Sequence, residues 1–191
     1  MMVETEHTPN PDTLKFLPGK KVSAVGPIEF LKNDKNIKVS LANKILSLEG
    51  TVMVFFGKDF ITVKKEKDLN WENLKHCIIS EINDYYSKGN DVAVGKDLRL
   101  AKILNESASD SKAVKSNEII NKINEVLDSK IRPAVARDGG DITFKSFANG
   151  VVTVELKGSC SGCPSSIMTL KQGVQNLLRH YIPEVKSVEV I

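Results

Sequence analysis

The chain has 191 residues, of which 41% are hydrophobic and 27% are charged, and it carries a net charge of +3. This length suits one large or two small domains, and the composition is that of an ordinary soluble globular protein. The lysines are scattered among acids and form no basic stripe, which argues against a nucleic-acid partner. No apolar run approaches the ~20 residues that a membrane-spanning helix needs, so no membrane partner is expected.

The first seven residues, MMVETEH, are acidic and polar. They resemble neither a secretory signal nor an arginine-rich transit peptide. The three cysteines are an odd number, which argues against a disulfide scaffold and for a reducing compartment. We therefore expect a cytoplasmic protein or, if it is organellar, the mature form in the mitochondrial matrix.

Residues 1–88 predict a first α+β domain. Its clearest feature is a pair of β-rich runs joined by Gly-Lys-Asp, which is typical of a hairpin. An earlier strand is stopped by Pro18 and Gly19, and a helix ends before Gly50. The predicted elements are strands at 13–17, 51–56 and 60–64 and a helix at 41–48.

Asn70 is a candidate N-cap for a second helix. The buried face of this helix is predicted to comprise Trp71, Leu74, Ile78, Ile82 and Tyr85. Cys77 is expected to be a small buried side chain, His76 a surface residue and Trp71 a core residue. No phosphate-binding loop and no nucleophile elbow occurs here, so the residues of this domain indicate no catalytic site.

The composition changes over residues 89–115. Gly89 and the run 105–112 are polar and turn-prone, as linkers are. We predict that this linker separates the first domain from a second one at 116–191.

The second domain begins with a helix capped by Ser116 or Asn117, which Pro133 is expected to kink or to follow with a separate helical turn. The sequence Arg-Asp-Gly-Gly-Asp at 137–141 is interpreted as a tight corner into a strand, in preference to an anion cradle. Asn149-Gly150 predicts a hairpin turn. The predicted strands are 142–147, 151–157 and 185–191.

Two cysteines lie in the segment Gly158–Cys163, here called the cysteine loop. An alternating strand leads into it, and Pro164 suits the first position of the helix that follows. This helix is predicted to bury Ile167, Leu170, Val174, Leu177, Leu178 and Tyr181. Cys160 and Cys163 therefore precede a helix N-terminus, where the helix dipole favours thiolate over thiol.

Three chemistries fit a Cys-x-x-Cys loop. A redox protein would cycle the pair between dithiol and disulfide. A structural zinc site and an iron–sulfur cluster each usually need four ligands, whereas a single loop supplies only two. A second copy of the loop across a two-fold axis would complete either site. From the residues alone, all three readings remain open.

The surrounding residues resemble a known family. IRPAVARDGGD at 131–141, followed by GSCSGCPSS at 158–166, resembles the C-terminal domain of NifU-type proteins. TPNPDTLKFLPG at 8–19 is similar to the N-terminal domain of the Nfu branch. The α-β-β-α-β order that we predict for 116–191 also disfavours a thioredoxin fold, which would need a βαβ half before the motif.

The resemblance implies an iron–sulfur cluster scaffold or carrier and no enzyme, and it implies that residues 1–88 form an accessory domain for partner recognition. It implies that Cys160 and Cys163 ligate a 4Fe–4S cluster that bridges two chains of a homodimer. The implied partners are a second copy of the chain, apo iron–sulfur client proteins and an upstream cluster assembly machinery. We further expect Ser159, Ser161 and Ser165 to donate hydrogen bonds to the sulfurs, and the loop to lie outside the apolar face.

Overall fold

The structure is a computed structural model, which describes residues 2–35, 37–95, 114–161 and 164–191, with the backbone alone at 114–117 and 164–166. The chain divides into two compact units, Met1–Ser107 and Ala108–Ile191. Within the described ranges, no helix is long and apolar enough to cross a membrane.

In its described residues, the first unit is built on one antiparallel sheet with two helices. Its strands, in the spatial order β1-β2-β5-β4-β3, are β1 (Glu4–His7), β2 (Thr13–Leu17), β3 (Ile28–Leu31), β4 (Thr51–Phe56) and β5 (Ile61–Lys65). The helices are α1 (Ser40–Ser47) and α2 (Trp71–Ser87). The predicted hairpin, its preceding strand and both helices are confirmed.

Helix α2 begins and packs as its sequence predicts. The Asn70 side chain accepts a hydrogen bond from the backbone N–H of Glu72 at 3.2 Å, which satisfies one of the open donors of the first turn. Ile78 and Ile82 are fully buried in the first core, together with Phe16 and Phe56 of the sheet. Burying each such side chain contributes roughly 1.5–3 kcal/mol.

Cys77 is a correction to the sequence reading, because its side chain is exposed and not buried. It lies one residue before Ile78, and successive helical residues are about 100° apart, so it points away from the buried stripe. The expected exposure of His76 is confirmed. Trp71 is partly buried against the first core, as predicted.

The second unit has the predicted order α-β-β-α-β. It consists of α3 (Val114–Val126), a π-helical turn (Leu127–Ile131), α4 (Arg132–Arg137), β6 (Gly140–Ala148), β7 (Val151–Gly158), α5 (Pro164–Tyr181) and β8 (Ser187–Val190). β7 pairs antiparallel with β6 and parallel with β8. Two domains that mix helices and sheets confirm the predicted α+β class.

Pro133 acts as predicted, and the π-helical turn is how the chain accommodates it. Proline has no N–H and its ring collides with the carbonyl four residues earlier, so a continuous α-helix is unfavourable here. The wider turn at Leu127–Ile131 lies immediately before α4, where Pro133 takes an early position. Such turns are rare and local.

The core of the second unit lies on one face of its sheet. Along β7, Val152, Val154 and Leu156 are buried while the residues between them are half-exposed. Val174 and Leu178 of α5 complete this core. Tyr181, predicted in the buried stripe of that helix, is instead 51% exposed.

The predicted linker lies partly outside the described residues, because 96–113 are not described. Before that gap, Val94 is fully buried in the first core, and its N–H donates to the carbonyl of Val22 at 3.0 Å. The boundaries at residues 88 and 115 remain a prediction.

Candidate metal centre

The described part of the cysteine loop is a tight turn at the end of β7. Gly158 has a φ of 70°, a left-handed conformation that favours glycine. The backbone N–H and the hydroxyl of Ser161 both donate to the carbonyl of Gly158, at 3.2 and 2.8 Å. Cys160 is therefore held in a closed turn just after a strand.

A corner of the chain at 138–140 holds this turn from the other side. The N–H of Gly139 donates to the Ala136 carbonyl at 3.1 Å and ends α4, with a φ of 81° at Gly139. The N–H of Ser159 then donates to the carbonyl of Gly139 at 3.2 Å, and its hydroxyl donates to the carbonyl of Asp138. The predicted tight corner at 137–141 thus contacts the cysteine loop directly.

Gly140 leaves the space that Cys160 fills. A Cβ built on Gly140 would lie 2.8 Å from the Cys160 Sγ and 2.6 Å from the Lys157 carbonyl oxygen. Cys160 itself is only 5% exposed and belongs to the second hydrophobic core. The expectation that the loop lies outside the apolar face is wrong for Cys160, because the corner brings its side chain inward.

The serines of the loop have structural partners. Ser159 Oγ is 3.8 Å from Cys160 Sγ, but its own proton goes to the Asp138 carbonyl, so the sulfur contact is one in which the hydroxyl accepts. The Ser161 hydroxyl donates to a carbonyl as well. The side chain of Ser165 lies outside the described residues, as does Cys163.

A charged cluster braces the start of β6, beside the corner. The Nε atom of Arg132 donates to the Ile142 carbonyl at 3.0 Å and lies 3.3 Å from an Asp141 carboxylate oxygen. Its guanidinium also pairs with Asp128 at 2.9 Å. Burial raises the pKa of Asp141, and the positive charge of Arg132 opposes that shift.

Within the described ranges, no three His, Cys, Asp or Glu side chains lie close enough together to hold a metal ion. Cys77 is exposed on α2 in the first unit. His180 is near the end of α5, about 24 Å along the helix from its start. Of the two predicted ligands, the structure places Cys160 alone.

Two residues that support the loop, Asp138 and Gly140, were not predicted as functional. The signal for them was present in the paired glycines of the 137–141 corner. Only the fold reveals that this corner meets the cysteine loop, since β6 and β7 pair Gly140 with Gly158.

Known proteins match the chain along most of its length. Residues 123–189 match the family model described as NifU-like domain, and residues 3–89 match that of the Scaffold protein Nfu/NifU N terminal. NifU-like protein 4, mitochondrial, of Arabidopsis thaliana is 43% identical, and the match covers 99% of this chain and 65% of the relative.

The NFU1 iron-sulfur cluster scaffold homolog, mitochondrial, of Homo sapiens is 42% identical, with all of this chain and 72% of the relative covered. The chain thus spans about two thirds of the length of these relatives. The solution structure of a NifU-like protein from Saccharomyces cerevisiae is 25% identical and has a TM-score of 0.46, over 50% of this chain and 86% of that one. The chain belongs to the Nfu family of NifU-like proteins.

Proposed function

We propose that this chain is an iron–sulfur cluster assembly scaffold and carrier, and not an enzyme. The printed names of its relatives from Homo sapiens and several Drosophila species, iron-sulfur cluster scaffold homolog, support this role. The observation that carries the proposal is the tight turn that holds Cys160 just after β7. In the sequence, Cys163 precedes Pro164, the first residue of α5. Thiolates at such a position are favoured by the helix dipole and suit soft metal centres.

The cargo we propose is a 4Fe–4S cluster ligated by Cys160 and Cys163 of two chains. Such a cluster usually takes four thiolates, and one loop supplies two. The remaining cysteine, Cys77, lies on the exposed side of a helix in the other unit. A two-fold axis through the cluster supplies the missing pair with one kind of loop, which makes a homodimer the simplest assembly.

Transfer to apo-proteins then requires no catalytic residue. Client thiolates replace the thiolates of the scaffold one at a time, and no electron is exchanged. A cluster held between two short loops at a two-fold axis would lie near the surface of the dimer, where client thiolates can reach it. The partners are a second copy of the chain, apo iron–sulfur clients and the machinery that delivers the cluster.

The first unit is proposed to recognise clients or a cluster donor, with domain boundaries at 1–88, 89–115 and 116–191. Among its described residues, no three His, Cys, Asp or Glu side chains lie close enough together to hold a metal ion; recognition is the role that the family resemblance implies for this unit. Transfer rates that stay unchanged for several clients after deletion of 1–88 would remove this role.

Of the two compartments that the sequence suggests, the mitochondrial one is supported by the names of the relatives, which are called mitochondrial. Fractionation of cells that express the tagged protein tests this assignment, and a purely cytoplasmic signal would contradict it.

The decisive experiment is native mass spectrometry of anaerobically reconstituted protein. We expect a dimer that carries four irons and four sulfides and that loses them in the Cys160→Ala and Cys163→Ala variants. Cys77→Ala is the matched control and should keep them. A metal-free monomer whose two loop cysteines interconvert with a disulfide at a defined potential would support a thiol oxidoreductase instead. Loss of the cluster in Cys77→Ala would reject the two-loop arrangement.

A further inference from the structure

We propose that Gly140 and Ser159 are positioning residues that keep the Cys160 thiol buried in the metal-free chain. The buried position of this thiol beside Gly140 is called the seat below. Binding of a cluster must then draw this thiol outward. The part that concerns the cluster rests on the function proposed above, while the seat is a property of the metal-free chain and can be tested without any cluster.

The seat is formed by the absence of a side chain at Gly140. The Sγ atom of Cys160 lies where it would be only 2.8 Å from a Cβ at that position, so the sulfur occupies space that every other residue would fill. The result is a residue that is 5% exposed and packed in the second core. A small, polarisable thiol suits such a place.

Ser159 holds the backbone next to Cys160 against the corner at 138–140. Its N–H and its hydroxyl donate to the carbonyls of Gly139 and Asp138, and the residue is 2% exposed. Two hydrogen bonds on the residue directly before Cys160 fix the direction in which the cysteine leaves the strand. Turning Cys160 toward a second chain would strain or break them.

The buried position of the Cys160 thiol opposes cluster binding. A ligand shared by two chains must be reachable from outside each chain, which a residue with 5% exposure is not. The metal-free chain therefore opens before it binds, and its apparent affinity is reduced by the fraction of chains that are open. When iron takes the thiol, the proton goes to solvent and no electron moves. When the cluster leaves, the return of the thiol to its seat favours release.

The first test measures access to each thiol in the full-length, metal-free protein. Iodoacetamide labelling is followed for each cysteine by peptide mass spectrometry, in the folded chain and in urea. We expect Cys160 to react at least about tenfold more slowly when folded and Cys77 to differ by less than about twofold. Equal protection of the two cysteines would overturn the proposal.

Substitutions at Ser159 and Gly140 should expose the Cys160 thiol, whereas substitutions elsewhere should not. Ser159→Ala removes the partly buried hydrogen bond to the Asp138 carbonyl and should speed labelling of Cys160 about fivefold. Ser146→Ala, on an exposed position of β6, should leave that rate unchanged. Gly140→Ala should also expose Cys160, with Gly173→Ala as control, since a Cβ at Gly173 meets nothing within 4 Å. If Gly140→Ala fails to fold, the Ser159→Ala variant provides the test. An unchanged rate of Cys160 labelling in that variant would contradict the proposal.

The second test separates positioning from mere support of the fold. Reconstituted protein is equilibrated with increasing concentrations of a competing dithiol, and the retained cluster is read from its visible absorption. Ser159→Ala should retain the cluster about fivefold more tightly per chain, because the competing closed state is weakened. A purely structural role would weaken retention, and that result would overturn the proposal. If the wild type binds no cluster, the proposed function is wrong. The labelling rates still test whether the Cys160 thiol is buried in the metal-free chain.

Discussion

The chain contains two short turns with distinctive sequences, Thr8–Thr13 and Gly158–Ser161, and they use their side chains differently. In the first turn, Asn10 is the centre: its carbonyl accepts from the N–H of Thr13 at 2.9 Å, and its side chain accepts from the N–H of Asp12 at 3.0 Å. The carboxylate of Asp12 pairs with buried Lys65 at 3.2 Å. The motif side chains themselves hold this turn together.

In the cysteine loop, the described hydrogen bonds that shape the turn are made by Ser159, Ser161 and the backbone. The sulfur of Cys160 is placed by what surrounds it, chiefly the bare Gly140. A distinctive motif therefore indicates a chemical site only where the reactive group is not the one that builds the turn. The contrast therefore predicts that the first turn is structural and that the second holds the proposed ligand Cys160.

The largest effect that would test this contrast is expected for Asp12→Ala. It leaves the Lys65 ammonium, whose side chain is 7% exposed, without its carboxylate. Carbonyls of Glu66 and Lys67 still accept from it, so we expect a loss of about 2 kcal/mol in the free energy of unfolding, below the full cost of an unpaired buried charge. Urea unfolding measures this loss, and iron content after reconstitution should not change.

Lys65→Met supplies the control for that prediction. It removes the buried charge and keeps the aliphatic stem, so Asp12→Ala should cost much less in a Lys65→Met background. A drop in cluster content in Asp12→Ala that exceeds its loss of folded protein would contradict a purely structural role for the first turn.

A smaller effect on stability is expected for Cys160→Ala. Removing a buried sulfur from a packed core should lower the free energy of unfolding by about 1 kcal/mol, in addition to abolishing cluster binding. Cys77→Ala should stay within about 0.5 kcal/mol of the wild type because that thiol is exposed. Equal stability of the two variants in chemical unfolding would indicate that Cys160 contributes nothing to the core.

The smallest effect concerns pH. Burial raises the pKa of Asp141, so folding favours its protonated form. This contribution to stability is complete below the ordinary pKa of 3.8 and is lost as the pH rises through the higher pKa of the folded chain.

Asp141→Asn removes this dependence. The unfolding free energy of the wild type minus that of the variant should therefore decrease as the pH rises above the ordinary pKa of 3.8. An increase with rising pH would show that the ion pair with Arg132 outweighs burial.

Sequence reasoning predicted the elements that have strong local signals. The Asn70 cap, the alternation along β7 and the α-β-β-α-β order were all available from neighbouring residues. Strands β1 and β3 were missed because they are short edge strands: Glu4–His7 is largely exposed and polar, and Ile28–Leu31 is only half-buried. Their existence depends on pairing with β2 and β4, which is not a local property.

The site was predictable in part, for the same reason. The family resemblance points to Cys160, but the inward position of its side chain depends on Gly140 and Ser159 meeting across the fold. Cys77 and Tyr181 were placed on the wrong side of their helices, since each lies at the margin of an apolar stripe whose width is set by tertiary packing.

The turn between β6 and β7 also sets how the chain enters the cysteine loop. Asn149 and Gly150 both have positive φ, at 54° and 84°, which is the geometry of a two-residue hairpin turn. This turn and a one-residue bulge between Phe144 and Ser146 of β6 together set the pairing register of β7. A slip of one residue would move Val152, Val154 and Leu156 to the opposite face, and Gly158 would no longer face Gly140. The direction of Cys160 thus depends on a surface turn about ten residues before it and on the bulge in the opposite strand, so a one-residue insertion in that turn should disturb the cysteine loop.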